Sequence, residues 1–242
     1  MDPKTQSMSR TRLFESFSII YQACLAIFPL CAAVIPWGVL CGSLGIQAGL
    51  SPFQVQAMSL FVFAGAAQLA GVSLIGSMSP SLPILSSTFV ISSRHLLYSA
   101  VFHDRVIGLP WIKRVVFAFF LTDEMFAVTN DYIAKQRRFS YLYAVSSGIM
   151  FYVMWNLSTL LGIVAGSSID NLEELGLEFA IAATFIAIVI PSIKSKSTLY
   201  AVVTSGVSML LLESTHFNYS LIVSSLLGMA AGYLTSERSN HA

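Results

Sequence analysis

The chain has 242 residues, 55% of them hydrophobic and 10% charged, with a net charge of +1 and a mean hydropathy of +0.74. A water-soluble domain carries about 25% charge, so a soluble globular fold, a disordered tail and a nucleic-acid module are all excluded. Three cysteines in this length are too few for a disulfide scaffold. What remains is an all-α polytopic membrane protein. We expect one integral membrane domain over residues 1–242, with about eight transmembrane segments in the lipid bilayer and little chain outside it.

The first thirteen residues are polar, with Lys4, Arg10 and Arg12, and the apolar run behind them is too long for the core of a cleaved leader. It reads as a retained span over 17–44. Pro29 and Pro36 should kink or break it near mid-membrane. Further apolar stretches fall at 54–78, 82–102, 115–133, 141–165, 177–193, 198–213 and 217–234. The stretch 198–213 is at the short limit for a crossing, and Pro191 should bend the one before it.

Eight crossings with a cytoplasmic N-terminus put Lys4, Arg10, Arg12, Lys135, Arg137, Arg138, Lys194, Lys196 and Arg238 inside. Arg105, Lys113 and Arg114 then lie outside. The bias favours both termini in the cytoplasm. At a constant offset of 124, Gly38, Gly42, Ser43 and Phe61 meet Gly162, Gly166, Ser167 and Phe185. This suggests an internal duplication with parallel halves at 29–102 and 150–213.

The segment 82–102 carries Ser92-Ser93-Arg94-His95-Leu96-Leu97-Tyr98-Ser99. An ionisable side chain at the centre of a span costs about 2.5–3.5 kcal/mol on insertion scales, so Arg94 needs a partner or a hydrated cavity. The next segment carries Leu121-Thr122-Asp123-Glu124. Adjacent carboxyls on a helix point about 100° apart and take different partners. The economical pairing is Arg94 with Asp123 or Glu124. Asn130 follows Asp123 by seven residues on the same stripe, and Asp131 can pair with Lys135 one turn on. Two roles fit this cluster: an ion pair that registers two helices, or a substrate or proton pathway. His95 is either a packing histidine or a titrating group.

Phe63-Ala64-Gly65-Ala66-Ala67-Gln68 puts small residues beside a buried amide. Close helix packing and backbone exposed to a ligand are both open for Gly65 and Gln68. Gly38-x3-Gly42, Gly162-x3-Gly166 and Gly228-x3-Gly232 are read as packing motifs. Cys24, Cys31 and Cys41 lie in the first segment without a neighbouring histidine, so small hydrophobes are expected there rather than a metal site or a disulfide. There is no phosphate-binding lysine loop, no HExxH and no Cys-x-x-Cys, so no cofactor, no metal and no enzyme chemistry is expected. Gly71-x-Ser73 with the distant His216 is the only hint of an intramembrane serine hydrolase.

Five pieces in register carry a resemblance: Pro36 to Gly45, Gly49-Leu50-Ser51-Pro52, Phe63 to Gln68, Arg94-His95-Leu96-Leu97-Tyr98, and Leu121-Thr122-Asp123-Glu124 followed by Phe126-Ala127. Together they resemble the AzlC-like family of branched-chain amino-acid permeases. The pieces cover about 29–128, and the hydropathy profile extends the match to about 234. Ser99 departs from the pattern, where glycine is expected after the tyrosine. The resemblance implies an inner-membrane exporter of branched-chain or other apolar amino acids, working with a small AzlD-like membrane subunit. A homo-oligomer is compatible with it.

With no nucleotide site, such a protein would be a secondary transporter. Its substrate would sit with the carboxylate at Arg94 or at free amides of a broken helix, and the ammonium at Asp123 or Glu124. The apolar side chain would then meet Phe61 and Phe63. Protons would couple through Asp123, Glu124 or His95. The rival classes are a structural subunit whose pathway lies in a partner, a channel and the hydrolase above.

Overall fold

The computed structural model describes residues 3–166, 186, 189–190, 193, 195–215, 217 and 220–240. Two compact units, Met1–Thr184 and Phe185–Ala242, divide the chain. The described residues are helical throughout, without a strand, as the composition predicts. The expected span 177–193, with its proline bend, lies almost wholly outside the described residues.

In the first unit, α1 (Pro3–Gln47) runs unbroken through Pro29 and Pro36, so the expected break in the first span does not occur. Each proline removes one amide donor, yet helical backbone continues on both sides of it. Its principal neighbour is α8 (Tyr141–Gly166). A Cβ on Gly38 would strike Ser158, one on Gly42 the Thr159 carbonyl, and one on Gly162 the Val39 carbonyl. A Cβ on Gly166 would lie 2.7 Å from Ser43 Cα. Both glycine pairs are therefore packing motifs, and they pack against each other. Since residue numbers rise together along the contact, α1 and α8 are parallel. Apolar side chains cannot drive helices together in lipid, so such close backbone contact supplies the attraction.

Between α1 and α8 the chain does not simply cross three times. Helix α2 (Pro52–Phe61) opens with a capping box: Ser51 N donates to Gln54 Oε1 at 2.8 Å, and Gln54 N donates to Ser51 Oγ at 3.3 Å. Val55 then packs on Gly45 near the end of α1. The chain turns at Val62-Phe63-Ala64, where Phe63 takes φ +46°. Helix α3 (Gly65–Gly76) starts beside Trp37 and ends with Gly76 against Ala48. Thus α2 descends along α1 and α3 climbs back beside it. Gln68 Nε2 donates to Ser59 Oγ at 2.8 Å across this hairpin.

Helices α4 (Ser81–Ser92) and α5 (Arg94–Val106) meet at Ser93, whose backbone stays right-handed helical. The pair is one kinked segment, antiparallel to α3, as the contact of Gly71 with Thr88 shows. A second hairpin follows. Helix α6 (Trp111–Phe120) runs up alongside the first half of α8, with Lys113 over the Tyr141 ring and Phe120 against Gly148. After an extended residue at Thr122, α7 (Asp123–Gln136) returns, with Met125 near Gly148 and Tyr132 stacked on Tyr143 at 4.0 Å.

The two hairpins thus enter from opposite ends of the parallel α1–α8 pair. Their tips meet: the Phe63 ring lies 6.0 Å from Phe119, 6.2 Å from Phe151 and 4.9 Å from Tyr152. This corrects the expectation that 54–78 and 115–133 each cross. Among the described residues only Phe14–Gln47 and Tyr141–Gly166 are single helices long and apolar enough to cross a membrane, not about eight. The fold also moves Arg105, Lys113 and Arg114 to the same end of the unit as Lys135, Arg137 and Arg138, because both legs of the second hairpin open there.

In the second unit, α9 (Lys196–Glu213) and α10 (Ser220–Asn240) form an antiparallel pair. Cβ atoms on Gly228 and Gly232 would meet Ser205 at 2.7 Å and Ala201 at 3.0 Å, so this third glycine motif also serves packing. Ser220 Oγ closes the turn by donating to Glu213 Oε2 at 2.9 Å.

Candidate functional site

Thr122 is the N-cap of α7, and its hydroxyl oxygen accepts from Met125 N at 3.3 Å. Asp123 is therefore the first residue of a helix that starts at the tip of the second hairpin, where the positive end of the helix dipole favours a carboxylate. Arg94 opens α5 and reaches Asp123 Oδ2 with a guanidinium nitrogen at 2.9 Å. The Tyr98 hydroxyl, one turn on, donates to Asp123 Oδ1. With side chains only 28% and 13% exposed, Arg94 and Asp123 form a largely desolvated pair. Phe126 stacks on the Tyr98 ring at 4.5 Å and covers it.

Glu124 points elsewhere, as the 100° step between neighbours requires. The Thr122 hydroxyl, its own backbone amide and Cys31 of α1 are the groups nearest in influence on its carboxylate. Among the described residues it has no salt-bridge partner. His95 Nδ1 is 2.9 Å from the Ser92 carbonyl, which makes Nδ1 the protonated nitrogen, and the ring meets Tyr98 edge-on at 5.8 Å. Asn130 is exposed on α7 and does not join the group. Asp131 and Lys135 pair at 2.7 Å and are well exposed, so they belong to the end of the unit.

The tip of the first hairpin holds a second polar group. Thr159 Oγ1 donates to the Trp155 carbonyl at 3.0 Å, so Ser59 donates to Thr159 at 2.8 Å, and Gln68 Nε2 donates to Ser59. Gln68 is the first donor of this chain, and its own Oε1 has no partner among the described residues although Gln68 is only 1% exposed. Gln56 Nε2 donates to Asn156 Oδ1 at 2.9 Å beside it. Sequence reasoning singled out Gln68 but missed Gln56, Ser59, Asn156 and Thr159. Their signal was present: a polar pair three residues apart on α2, and another on α8, each on one helical face. Gly65 stands where a Cβ would lie 3.1 Å from the Trp155 ring, so its small size is set by packing at the start of α3.

A cavity of about 720 Å³ opens between α2, α3 and α4, lined by Met58, Val62, Ile75, Leu85 and Phe89 together with Gln68. Phe63 is buried at the tip and Phe61 points outward, so neither ring lines this cavity. Ser73 of the weighed hydrolase pair is exposed on α3, and its His216 lies outside the described residues.

The family model described as AzlC protein matches residues 29–169. A membrane protein of Archaeoglobus fulgidus is 30% identical over 209 residues, covering 84% of this chain and 86% of that protein. The inner membrane protein YgaZ of Escherichia coli is 27% identical over 220 residues, covering 89% of this chain and 88% of that one. No solved structure matches the chain.

Proposed function

The chain belongs to the AzlC family, and from that premise we propose that it is the transporting component of an inner-membrane exporter for apolar amino acids. The observation that carries this reading is the pair of re-entrant hairpins. Irregular backbone at membrane depth is tolerated only where protein buries it or where it lines a cavity, and discontinuous helices are where secondary transporters bind substrate. The five sequence pieces that carry the family resemblance support it. Two of them, Phe63 to Gln68 and Leu121 to Glu124, form the hairpin tips, and a third supplies Arg94 and Tyr98. A role confined to scaffolding gives no reason for two broken segments to meet.

The crossings of this unit are α1, the kinked α4–α5 segment and α8, with the hairpins dipping in from either side. Charge supports this arrangement. The N-terminal Lys4, Arg10 and Arg12 then share a side with Arg105, Lys113, Arg114, Lys135, Arg137 and Arg138, whereas the opposite turns at 48–51 and 77–80 carry no charge. That basic side is the cytoplasm. A cytoplasmic C-terminus rests on sequence alone, on Arg238 just after the last apolar stretch. Segment α1 with the first hairpin, and segment α4–α5 with the second, repeat one motif in opposite orientation. This inverted relation differs from the parallel duplication of 29–102 and 150–213 expected from the sequence, whose matched Ser167 and Phe185 lie outside the described residues; rocking of one hairpin against the other would open the site to each side in turn.

The substrate's aliphatic side chain fits the cavity against Met58, Val62, Leu85 and Phe89. Its ammonium would satisfy Gln68 Oε1, and its carboxylate the first amides of α3, which lack an intrahelical acceptor and a side-chain cap. Arg94 and Asp123 hold each other rather than the ligand. A small AzlD-like membrane subunit is the partner we assign from the family. The test is counterflow of labelled leucine, isoleucine, valine and methionine in proteoliposomes, with and without that subunit. We expect stereoselective exchange, with KM raised at least tenfold in Gln68→Leu. Absence of flux under both conditions would sink the reading.

A further inference from the structure

Of the three ionisable side chains at the tip of the second hairpin, two neutralise each other and one is left over. Asp123 is held by Arg94 and by the Tyr98 hydroxyl. Glu124 has no salt-bridge partner among the described residues. The ionised trio would carry a net negative charge at the depth where the hairpin tips meet, the region in which an uncompensated charge is most costly. Glu124 is therefore the group that must take up a cation when the site is empty. The smallest cation available on both sides of a membrane is the proton.

The other candidates are less suited. Protonating Asp123 would remove the charge from the carboxylate that meets Arg94 at 2.9 Å, at the cost of a largely desolvated ion pair. His95 Nδ1 donates a hydrogen bond to the Ser92 carbonyl, and its ring meets Tyr98 edge-on. The titratable and charged groups around Glu124 are Asp123 on its own helix, Arg94 and Tyr98 on α5, and Cys31 on α1. Arg94 is their only cation among the described residues, and Asp123 already occupies it. The Thr122 hydroxyl and the Glu124 amide lie beside the carboxylate, but neither gives up a proton at physiological pH.

We propose that Glu124 is the proton-coupling site. A proton joins its carboxylate oxygen from water on one side of the membrane and leaves the same oxygen to water on the other, in exchange for one amino acid. No other bond forms or breaks, and the Arg94–Asp123 pair stays intact through the cycle. This inference rests on the transport reading above, and its test is arranged so that the two fail separately.

The experiment uses the full chain in proteoliposomes with labelled leucine, co-reconstituted with the small subunit where flux requires it. In the wild type an imposed pH gradient should drive accumulation several-fold above the equilibrium ratio, and exchange should vary with pH. In Glu124→Gln accumulation should fall to the equilibrium ratio, and the exchange that remains should no longer vary with pH. Glu124→Asp keeps a carboxylate and should keep a pH-dependent response with a displaced midpoint. Gradient-driven accumulation in Glu124→Gln at the wild-type level would overturn the proposal. So would complete loss of exchange in both variants while each still elutes as folded protein. Wild-type exchange that ignores the pH gradient would overturn it too, leaving the transport reading standing. Wild-type protein without any exchange would overturn the transport reading instead.

Discussion

Removing the Arg94 guanidinium leaves the Asp123 carboxylate in a mostly dry setting without the positive charge it meets, still bonded to the Tyr98 hydroxyl. Breaking a buried pair from one side costs about 3–5 kcal/mol, whereas replacing both partners with apolar residues is often neutral. Arg94→Ala should therefore lower the yield of folded protein and its Tm in detergent, and Arg94→Leu with Asp123→Leu should recover most of both. If the double variant is no better than the single one, the pair has a role beyond mutual neutralisation. Tyr98→Phe removes a hydrogen bond to a charged acceptor, worth about 1.5–3 kcal/mol, and should lower Tm by a smaller step. The adjacent carboxyls had to part company from sequence alone, because neighbours on a helix diverge. Which of them takes Arg94 depends on how α5 lies against α7, and no spacing rule supplies that.

At the level of elements, glycines that look alike in sequence separate by what their missing side chains would touch. A methyl on Gly162 would be driven into the Val39 carbonyl, between two backbones that cannot yield independently. Gly162→Ala should cost about 1–3 kcal/mol or more by forcing α1 and α8 apart. Gly206, inside α9, has nothing among the described residues within 4 Å of its would-be Cβ. Gly206→Ala should therefore be neutral or stabilising by up to about 1 kcal/mol, through helix propensity. Thermal unfolding of the two variants side by side checks the contrast. The break between α6 and α7 had a signal that the reading of 115–133 as one crossing passed over: Thr122 followed by Asp123 and Glu124 is a helix start inside an apolar run. The break between α2 and α3 had none, since Ala64 caps nothing and Phe63 gives no hint of its positive φ.

For the first unit as a whole, the decisive question is which turns share a side. On a cysteine-free background, with Cys24, Cys31 and Cys41 replaced, Ser51→Cys and Ser79→Cys flank the first hairpin, and Gly108→Cys and Ser140→Cys flank the second. An impermeant thiol reagent added outside intact cells should label the first two and spare the last two. A chain that crossed at 54–78 and 115–133 would instead split each pair, one labelled and one protected. The fold already leans toward the first outcome, because it gathers Arg105, Lys113 and Arg114 with Lys135, Arg137 and Arg138 at one end, where the eight-crossing arrangement divided them.

The sequence by itself determined the solvent, the helical class and the places where polarity is retained at a cost. Those follow from composition and from short-range spacing, which every residue carries with it. Only the tertiary structure decided direction. A run of 25 apolar residues such as 54–78 has the same hydropathy whether it crosses or doubles back, since hydropathy records how long a segment stays apolar and not where it goes. Contacts between residues far apart in the chain fix that: Gly76 against Ala48, Lys113 over Tyr141, and Phe63 against Phe119. The same contacts joined the scattered Ser59 and Thr159 to Gln68 in one buried chain and paired Gln56 with Asn156 beside it.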